Sequence, residues 1–299
     1  MNPQDVIALT PPGLCHSSLA VAACRAGARG FVDLEDAARP DIALAAMARL
    51  HRYVDGRFGI KIGRHDGALV KHLVANPPSG LAWILLAGGG SPDLERWIGF
   101  FRERHIGVFL EAVSLAEAQG AEALGADGLI LKGQEAGGRV GTETAFILMQ
   151  RWLAYRRDAD HAALPVWVQG GVGLNTAAAC LAGGATGVVL DSQLLLTRES
   201  PLDEVARQRL TAFDGSETTC LGERLGEAYR FYFRPGMAAV EELSRDEERL
   251  CQASSPVHVS PSARMMINES PRGAEKGDDD SPNASYRGRT RERRWSLVV

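Results

Sequence analysis

A glycine-rich turn follows one of the apolar segments of the chain, and its residue types suit the binding of an anion. The run reads Val168-Gln169-Gly170-Gly171-Val172-Gly173 and leads into a helical pattern. Glycines allow backbone N–H groups to approach a ligand closely, and the positive end of the following helix faces the same point. The turn therefore predicts a phosphate-binding site. The alternative is a tight strand–helix turn that binds no ligand.

A second polar segment follows an earlier apolar run, and it combines charged side chains with glycines. It reads Leu131-Lys132-Gly133-Gln134-Glu135-Ala136-Gly137-Gly138-Arg139-Val140-Gly141. Two cations and an acid directly after a strand favour catalysis or ligand binding over packing. The alternative is a flexible surface loop with a Glu–Arg pair.

Both segments need strands that end at the same edge, and the apolar runs of the chain provide them. We predict eight strands, at Val6–Leu9, Gly30–Asp33, Gly59–Ile62, Ala82–Leu86, Ile106–Leu110, Gly128–Leu131, Val166–Gln169 and Gly187–Leu190. Helical patterns lie between them, and the strands are apolar on both faces, as in parallel sheets. This alternation predicts an α/β fold, a (β/α)₈ TIM barrel, in which the loops after strands seven and eight bind phosphate. An open doubly wound sheet is the alternative.

Three regions are expected along the chain. Residues 1–200 form the barrel, within which the short connection between the third and fourth strands is expected to lack a full helix. Residues 201–251 form a short C-terminal helical extension, because Thr218–Leu250 has amphipathic patterns interrupted near Arg234-Pro235-Gly236. Residues 252–299 are rich in Ser, Pro, Gly, Arg and Asp, which predicts a disordered tail or linker.

Three short strings of the barrel region resemble the nitronate monooxygenase (2-nitropropane dioxygenase) family. They are Gly125-Ala126-Asp127-Gly128, Glu135-Ala136-Gly137-Gly138 and Gly170-Gly171-Val172, within a resemblance that covers roughly residues 5–195. The family is similar to the FMN-dependent enoyl reductases of fatty-acid synthesis. The resemblance implies a TIM barrel with non-covalent FMN at the carboxyl ends of the strands. It also implies a redox reaction on a carbanion-like substrate, or on an enoyl thioester with a nicotinamide.

The resemblance also assigns residues to the cofactor. It implies that Gly170, Gly171, Val172 and Ser192 hold the FMN phosphate, and that Gly137 and Gly138 shape the flavin face. Asp191-Ser192 stands where the family has Gly-Thr. Asp191 would repel a phosphate if it faced inward, so it must point away or the site is weakened.

The chain departs from the family at its catalytic positions. Arg139 stands where the family has a catalytic His; an arginine stays protonated and can orient a substrate but cannot abstract a proton. His16 and His65, in the loops after the first and third strands, are candidates for the missing base, with plain solvent exposure as the alternative. Lys61 and Lys132 replace an Asn and a Gln of the family. They predict a positive charge beside a reduced flavin or, alternatively, salt bridges that close the barrel mouth.

We therefore predict an FMN-dependent oxidoreductase that oxidises a nitronate with O₂. One alternative is an enoyl-reductase-like domain that uses NAD(P)H on an acyl-carrier-bound substrate, since Arg variants resemble domains of polyketide synthases. That alternative implies a polyketide synthase partner. The other is a redox-inactive barrel that acts as a docking module.

The bulk composition narrows the possible partners and compartments. A formal charge of −4 and a pI near 6.0 give no reason to expect nucleic acid. No apolar run approaches the ~20 residues that cross a bilayer, so we expect no membrane segment. The five cysteines are scattered and lack C-x-x-C spacing, which favours a reducing cytoplasm and predicts neither disulfides nor a metal site.

Overall fold

The computed structural model divides the chain into two compact units. It describes residues 2–12, 14–35, 40–63, 67–88, 93–159, 164–214, 216–233 and 235–252. The first unit contains residues up to 136 together with 140–201, and the second contains 137–139 and the residues from 202 onward. His65 and the segment 253–299 lie outside the described residues, so the prediction of a disordered tail falls there.

The first unit is a closed barrel of eight parallel strands. The strands are β1 Val6–Leu9, β2 Arg29–Asp33, β3 Phe58–Gly63, β4 Leu81–Ala87, β5 Gly107–Ala112, β6 Gly128–Lys132, β8 Val166–Gln169 and β9 Gly187–Leu190. The short strand β7, Gly138–Val140, is not part of the barrel. Each barrel strand pairs with the next in this order, and the parallel pairing of β9 with β1, at Val188 and Val6, closes the ring. The predicted TIM barrel is confirmed, and the alternative of an open sheet is wrong.

Seven helices are described in the first unit, between successive barrel strands. They are α1 Ser18–Arg25, α2 Pro40–Tyr53, α3 Gly67–Ala75, α4 Leu94–Arg102, α5 Leu115–Ala123, α6 Ala145–Ala159 and α7 Leu174–Ala182. The expectation that the β3–β4 connection lacks a full helix is wrong. Leu69, Val70 and Leu73 recur at helical spacing, and their burial holds the nine-residue helix α3 on the barrel.

An apolar layer fills the interior of the barrel. Its members come from seven strands: Ile7, Leu9, Phe31, Leu85, Phe109, Ile130, Trp167 and Val189. Room for the rings is made by Gly128, whose missing side chain leaves space for Phe109; a Cβ atom there would lie 2.3 Å from that ring. Because side chains alternate between the two faces of a strand, the residues two positions further along also face the interior.

The second unit contains a β-hairpin and two helices. Strand β10, Thr218–Leu221, pairs antiparallel with β11, Ala228–Tyr232, and β11 pairs with β7, Gly138–Val140, most of which belongs to this unit. Helices α8, Glu204–Leu210, and α9, Ala238–Gln252, flank the hairpin in sequence.

The predicted C-terminal helical extension is confirmed at α9, whereas residues 218–232, which lie within the predicted helical segment, form a hairpin instead. Gly222 and Gly226 adopt φ values of 91° and 95°, which L side chains rarely adopt and which end helical geometry. Tyr229 and Phe231 have stacked rings on one face of β11, an arrangement that a strand favours. Within the described residues, no helix is long and apolar enough to cross a membrane.

Candidate functional site

A polar layer lies above the apolar layer, at the carboxyl ends of the barrel strands. On five strands the residue two positions beyond an interior apolar side chain is polar: Asp33, Glu111, Lys132, Gln169 and Asp191. The carboxyl end of a TIM barrel is where such enzymes place their active sites. Of these residues, Lys132 and Asp191 are predicted site residues. Asp33, Glu111 and Gln169 are not, although counting by two from the apolar residues of each strand finds them.

Two lysines and three carboxylates of this end form a buried ion cluster. Lys61 Nζ lies 2.7 Å from Glu35 Oε2, 3.3 Å from Asp33 Oδ2 and 3.2 Å from Glu111 Oε2. Lys132 Nζ lies 3.5 Å from the same Glu111 oxygen, and both lysine side chains are 1 % exposed. The salt bridges weighed as an alternative for these lysines are therefore present. Their contact with a flavin stays a prediction.

Burial and charge within the cluster shift the pKa values of Asp33, Lys61 and Lys132. Burial raises the pKa of Asp33 to about 7, against the opposing effect of Lys61. Burial alone would lower the pKa of Lys61, but the carboxylates of Asp33, Glu111 and Glu35 raise it well above its ordinary value. Burial lowers the pKa of Lys132, and the neighbouring charge of Lys61 adds to that effect. Lys61 is therefore the fixed cation of the site, and Asp33 exchanges its proton near neutral pH.

The raised pKa of Asp33 predicts a specific dependence of stability on pH. Between its ordinary pKa of 3.8 and about 7, folded Asp33 holds a proton that the unfolded chain has released, so its contribution to stability falls as pH rises through this window. We expect Asp33→Asn to remove that decline. Urea denaturation at pH 5 and pH 8 measures the change in the free energy of unfolding between the two pH values. The exposed Asp55→Asn variant is the control and should show the same change as the wild type. An unchanged difference between the two pH values in Asp33→Asn would contradict the assignment.

The predicted phosphate turn follows β8 at the same end of the barrel. Gly170 and Gly171 have φ values of 114° and 57°, and α7 begins at Leu174. Among the described residues, neither the Gly171 nor the Val172 amide has a hydrogen-bond acceptor. The amide of Gly173 instead donates to Thr176 Oγ1 at 2.6 Å. The turn thus leaves two backbone donors directly before the N-terminus of a helix, an arrangement that favours an anion.

Glu135 supports this turn rather than standing in an open loop. Its two carboxylate oxygens accept hydrogen bonds from the Ala145 amide at 3.0 and 3.2 Å, at the beginning of α6. A Cβ atom on Gly170 would lie 3.4 Å from Glu135 Oε2 and 3.3 Å from the Ala136 amide nitrogen. Glu135, the acid of the Glu-Ala-Gly-Gly string, therefore is hydrogen-bonded to the N-terminus of α6 and lies next to the glycine turn.

The loop after β9 directs Asp191 inward. Asp191 Oδ2 accepts a hydrogen bond from Gln169 Nε2 at 2.8 Å, and Oδ1 accepts one from the Ser192 amide at 2.7 Å. The Ser192 hydroxyl lies 3.4 Å from Oδ1. Asp191 therefore does not point away from the mouth, and the amide of Ser192 is already bound to it.

The remaining predicted residues are distributed between the two units. His16 lies in the loop after β1, where its Nδ1 is 2.9 Å from the Ser18 hydroxyl, which itself donates to the Glu199 carbonyl at 2.6 Å. Burial lowers the pKa of His16, so its ring is neutral at pH 7. Gly137, Gly138 and Arg139 belong to the second unit.

Arg139 forms an ion pair within the second unit. Its Nε lies 3.3 Å from Glu227 Oε1, and the arginine is 8 % exposed. The pair joins β7 to the residue before β11. Glu227 is not among the predicted residues, because it lies 88 residues away from Arg139 in the chain. The role of Arg139 towards a substrate stays a prediction.

Several solved structures share the fold of this chain at low sequence identity. FabK from Thermotoga maritima is 22 % identical with a TM-score of 0.72, over 84 % of this chain and 78 % of that one. Nitroalkane oxidase from Streptomyces ansochromogenes is 20 % identical with a TM-score of 0.66, over 89 % and 86 %. The enoyl reductase domain of MlnA, from the macrolactin biosynthesis cluster of Bacillus amyloliquefaciens, is 10 % identical with a TM-score of 0.66, over 89 % and 71 %.

Comparison at the level of sequence gives a narrower result. No curated protein matches the chain. Residues 100–234 match the profile of the family described as nitronate monooxygenase. This segment contains β5, β6, β8 and β9 of the barrel, with the Glu-Ala-Gly-Gly string and the glycine turn. Residues 100–234 are therefore similar to the nitronate monooxygenase family, and the structure places the barrel strands of this segment in a closed TIM barrel.

Proposed function

We propose that the chain is a flavin-dependent oxidoreductase that binds FMN at the carboxyl end of its barrel. The observation that carries this proposal is the turn at Gly170–Val172, which presents two amides without acceptors among the described residues, directly before α7. A dianionic phosphate suits such a turn because backbone donors and the helix dipole act on it together.

The interior of the mouth supports a polar ligand beside the turn. Gln169, the last residue of β8, is 2 % exposed, and its Oε1 has no hydrogen-bond donor among the described residues. A buried amide oxygen of this kind is costly unless a ligand or water satisfies it. The Gly170–Val172 turn thus fits the phosphate of FMN, whereas the loop after β9 has its Ser192 amide engaged.

Bound FMN would supply the ability to take up and return electrons, and the chain would supply charge and proton transfer around it. Lys61 keeps a fixed positive charge at the mouth, and Asp33 holds or releases a proton near pH 7. Burial lowers the pKa of His16, which favours its neutral ring, and its Nδ1 lies 2.9 Å from the Ser18 hydroxyl. Arg139 cannot serve as a base.

The absence of a base at position 139 favours substrates that arrive already deprotonated or that need no deprotonation. A nitronate anion is such a substrate, and we propose its oxidation with O₂ as the reaction. The second candidate is reduction of an enoyl thioester on a carrier protein with NAD(P)H, which is favoured by the shared fold of an enoyl reductase domain. The inward Asp191 carboxylate favours a third candidate, a redox-inactive docking barrel.

Flavin titration followed by anaerobic reduction distinguishes the three candidates. We expect the full chain to take up FMN, with the quenching of flavin fluorescence reporting the binding. Bleaching by a nitronate supports the monooxygenase, and bleaching by NAD(P)H with oxidation by a crotonyl thioester supports the reductase. Protein that takes up no FMN overturns both and supports the docking barrel.

A further inference from the structure

Three backbone donors of the loop after β9 are satisfied within the loop itself. The Asp191 amide donates to Gln193 Oε1 at 3.0 Å, the Ser192 amide donates to Asp191 Oδ1 at 2.7 Å, and the Leu194 amide donates to the Asp191 carbonyl at 3.0 Å. Gln193 Nε2 also donates to the Val172 carbonyl at 2.5 Å. The loop is therefore internally bonded and tied to the glycine turn at the same time.

The Asp191 carboxylate occupies the position at which this loop would otherwise receive an anion. It accepts the Ser192 amide with one oxygen and Gln169 Nε2 with the other, and the residue is 8 % exposed. Gln169 directly precedes Gly170, so the carboxylate is hydrogen-bonded to the residue immediately before the glycine turn. The Asp191 carboxylate thus occupies hydrogen-bond donors that a bound phosphate would need in order to contact this loop as well as the glycine turn.

We propose that Asp191 is a specificity-determining residue that acts as an internal anion and makes the barrel mouth discriminate against a phosphate dianion. This inference rests on the proposed flavin site. A ligand phosphate on the Gly170–Val172 turn gains no hydrogen bond from the Ser192 amide, and the Asp191 carboxylate adds a like charge at the same end of the barrel. The wild-type chain should therefore prefer FMN over riboflavin, which lacks the phosphate, by a smaller factor than it would without the Asp191 carboxylate.

The test compares FMN and riboflavin binding in the full chain and in two variants. Asp191→Gly removes the carboxylate and frees the Ser192 amide, and we expect its FMN affinity to rise about tenfold while its riboflavin affinity stays unchanged. Asp191→Asn keeps an acceptor for Ser192 without the charge, and we expect a smaller rise. Asp55→Asn, which removes one exposed negative charge before β3 at the amino end of the barrel, is the charge-matched control and should change neither affinity.

Inorganic phosphate provides a readout that needs no flavin. At constant ionic strength, phosphate in place of chloride should raise the Tm of Asp191→Gly more than it raises that of the wild type. Equal responses of the two proteins, or equal FMN affinities, overturn the role of Asp191. If neither protein binds either flavin while phosphate stabilises the variant more than the wild type, the inference stands and the proposed flavin function fails.

Discussion

Replacing Lys61 with methionine is expected to destabilise the barrel by about 3–5 kcal/mol, since removal of one partner leaves buried charge uncompensated. Lys61 is 1 % exposed and bridges Asp33, Glu35 and Glu111 within 3.3 Å. Methionine fills a similar volume but leaves three carboxylates facing one another. Urea denaturation at pH 8, followed by circular dichroism, measures the loss.

Two comparisons separate this effect from a general loss of charge. Arg96→Met removes an exposed ion pair with Asp93, in which the two side chains are 74 % and 55 % exposed, and should cost about 0–1 kcal/mol. The double variant Lys61→Met/Glu111→Met should recover part of the loss, because it also removes one of the stranded carboxylates. If Lys61→Met is as stable as Arg96→Met, the buried ion pairs of Lys61 contribute no more to the stability of the barrel than an exposed ion pair does.

The barrel was predictable from the sequence because each strand is a short apolar run of its own. Val6–Leu9, Val166–Gln169 and Gly187–Leu190 were predicted with the bounds that the structure has, and the other strands differ by one or two residues at their ends. A strand that is buried on both faces needs only local composition to be recognised. The glycine turn was found for the same reason, since all its residues are contiguous.

The ion cluster and the C-terminal hairpin depend on pairings that the sequence does not display locally. Asp33 meets Lys61 because β2 and β3 pair in a register that places these two residues side by side. Glu111 joins them from β5 across the interior, which only the closure of the barrel brings about. Similarly, the segment 218–232 has an amphipathic pattern that resembles a helix, and its strands form through the pairing of β10 with β11 on either side of Gly222 and Gly226.

The second large effect is expected from a substitution in the glycine turn. Gly170→Ala is expected to weaken FMN binding at least about tenfold, because a Cβ atom there would lie 3.3 Å from the Ala136 amide nitrogen and 3.4 Å from Glu135 Oε2. Its φ of 114° is one that L side chains rarely adopt, which adds about 1–3 kcal/mol of strain. The turn must shift to relieve both, and the Gly171 and Val172 amides shift with it. Fluorescence titration with FMN measures the loss, and thermal unfolding verifies that the variant is folded.

Gly173→Ala is the matched control in the same turn. Gly173 has an extended φ of −119°, and a Cβ atom there would have Thr176 Oγ1 at 3.9 Å as its nearest neighbour, an ordinary contact. This variant should bind FMN within about twofold of the wild type, because it leaves the two amides in place. Equal affinities of Gly170→Ala, Gly173→Ala and the wild type would mean that the phosphate is not held by this turn. The mouth would then have to hold a flavin through its ion cluster alone, which Lys61→Met would reveal by abolishing binding.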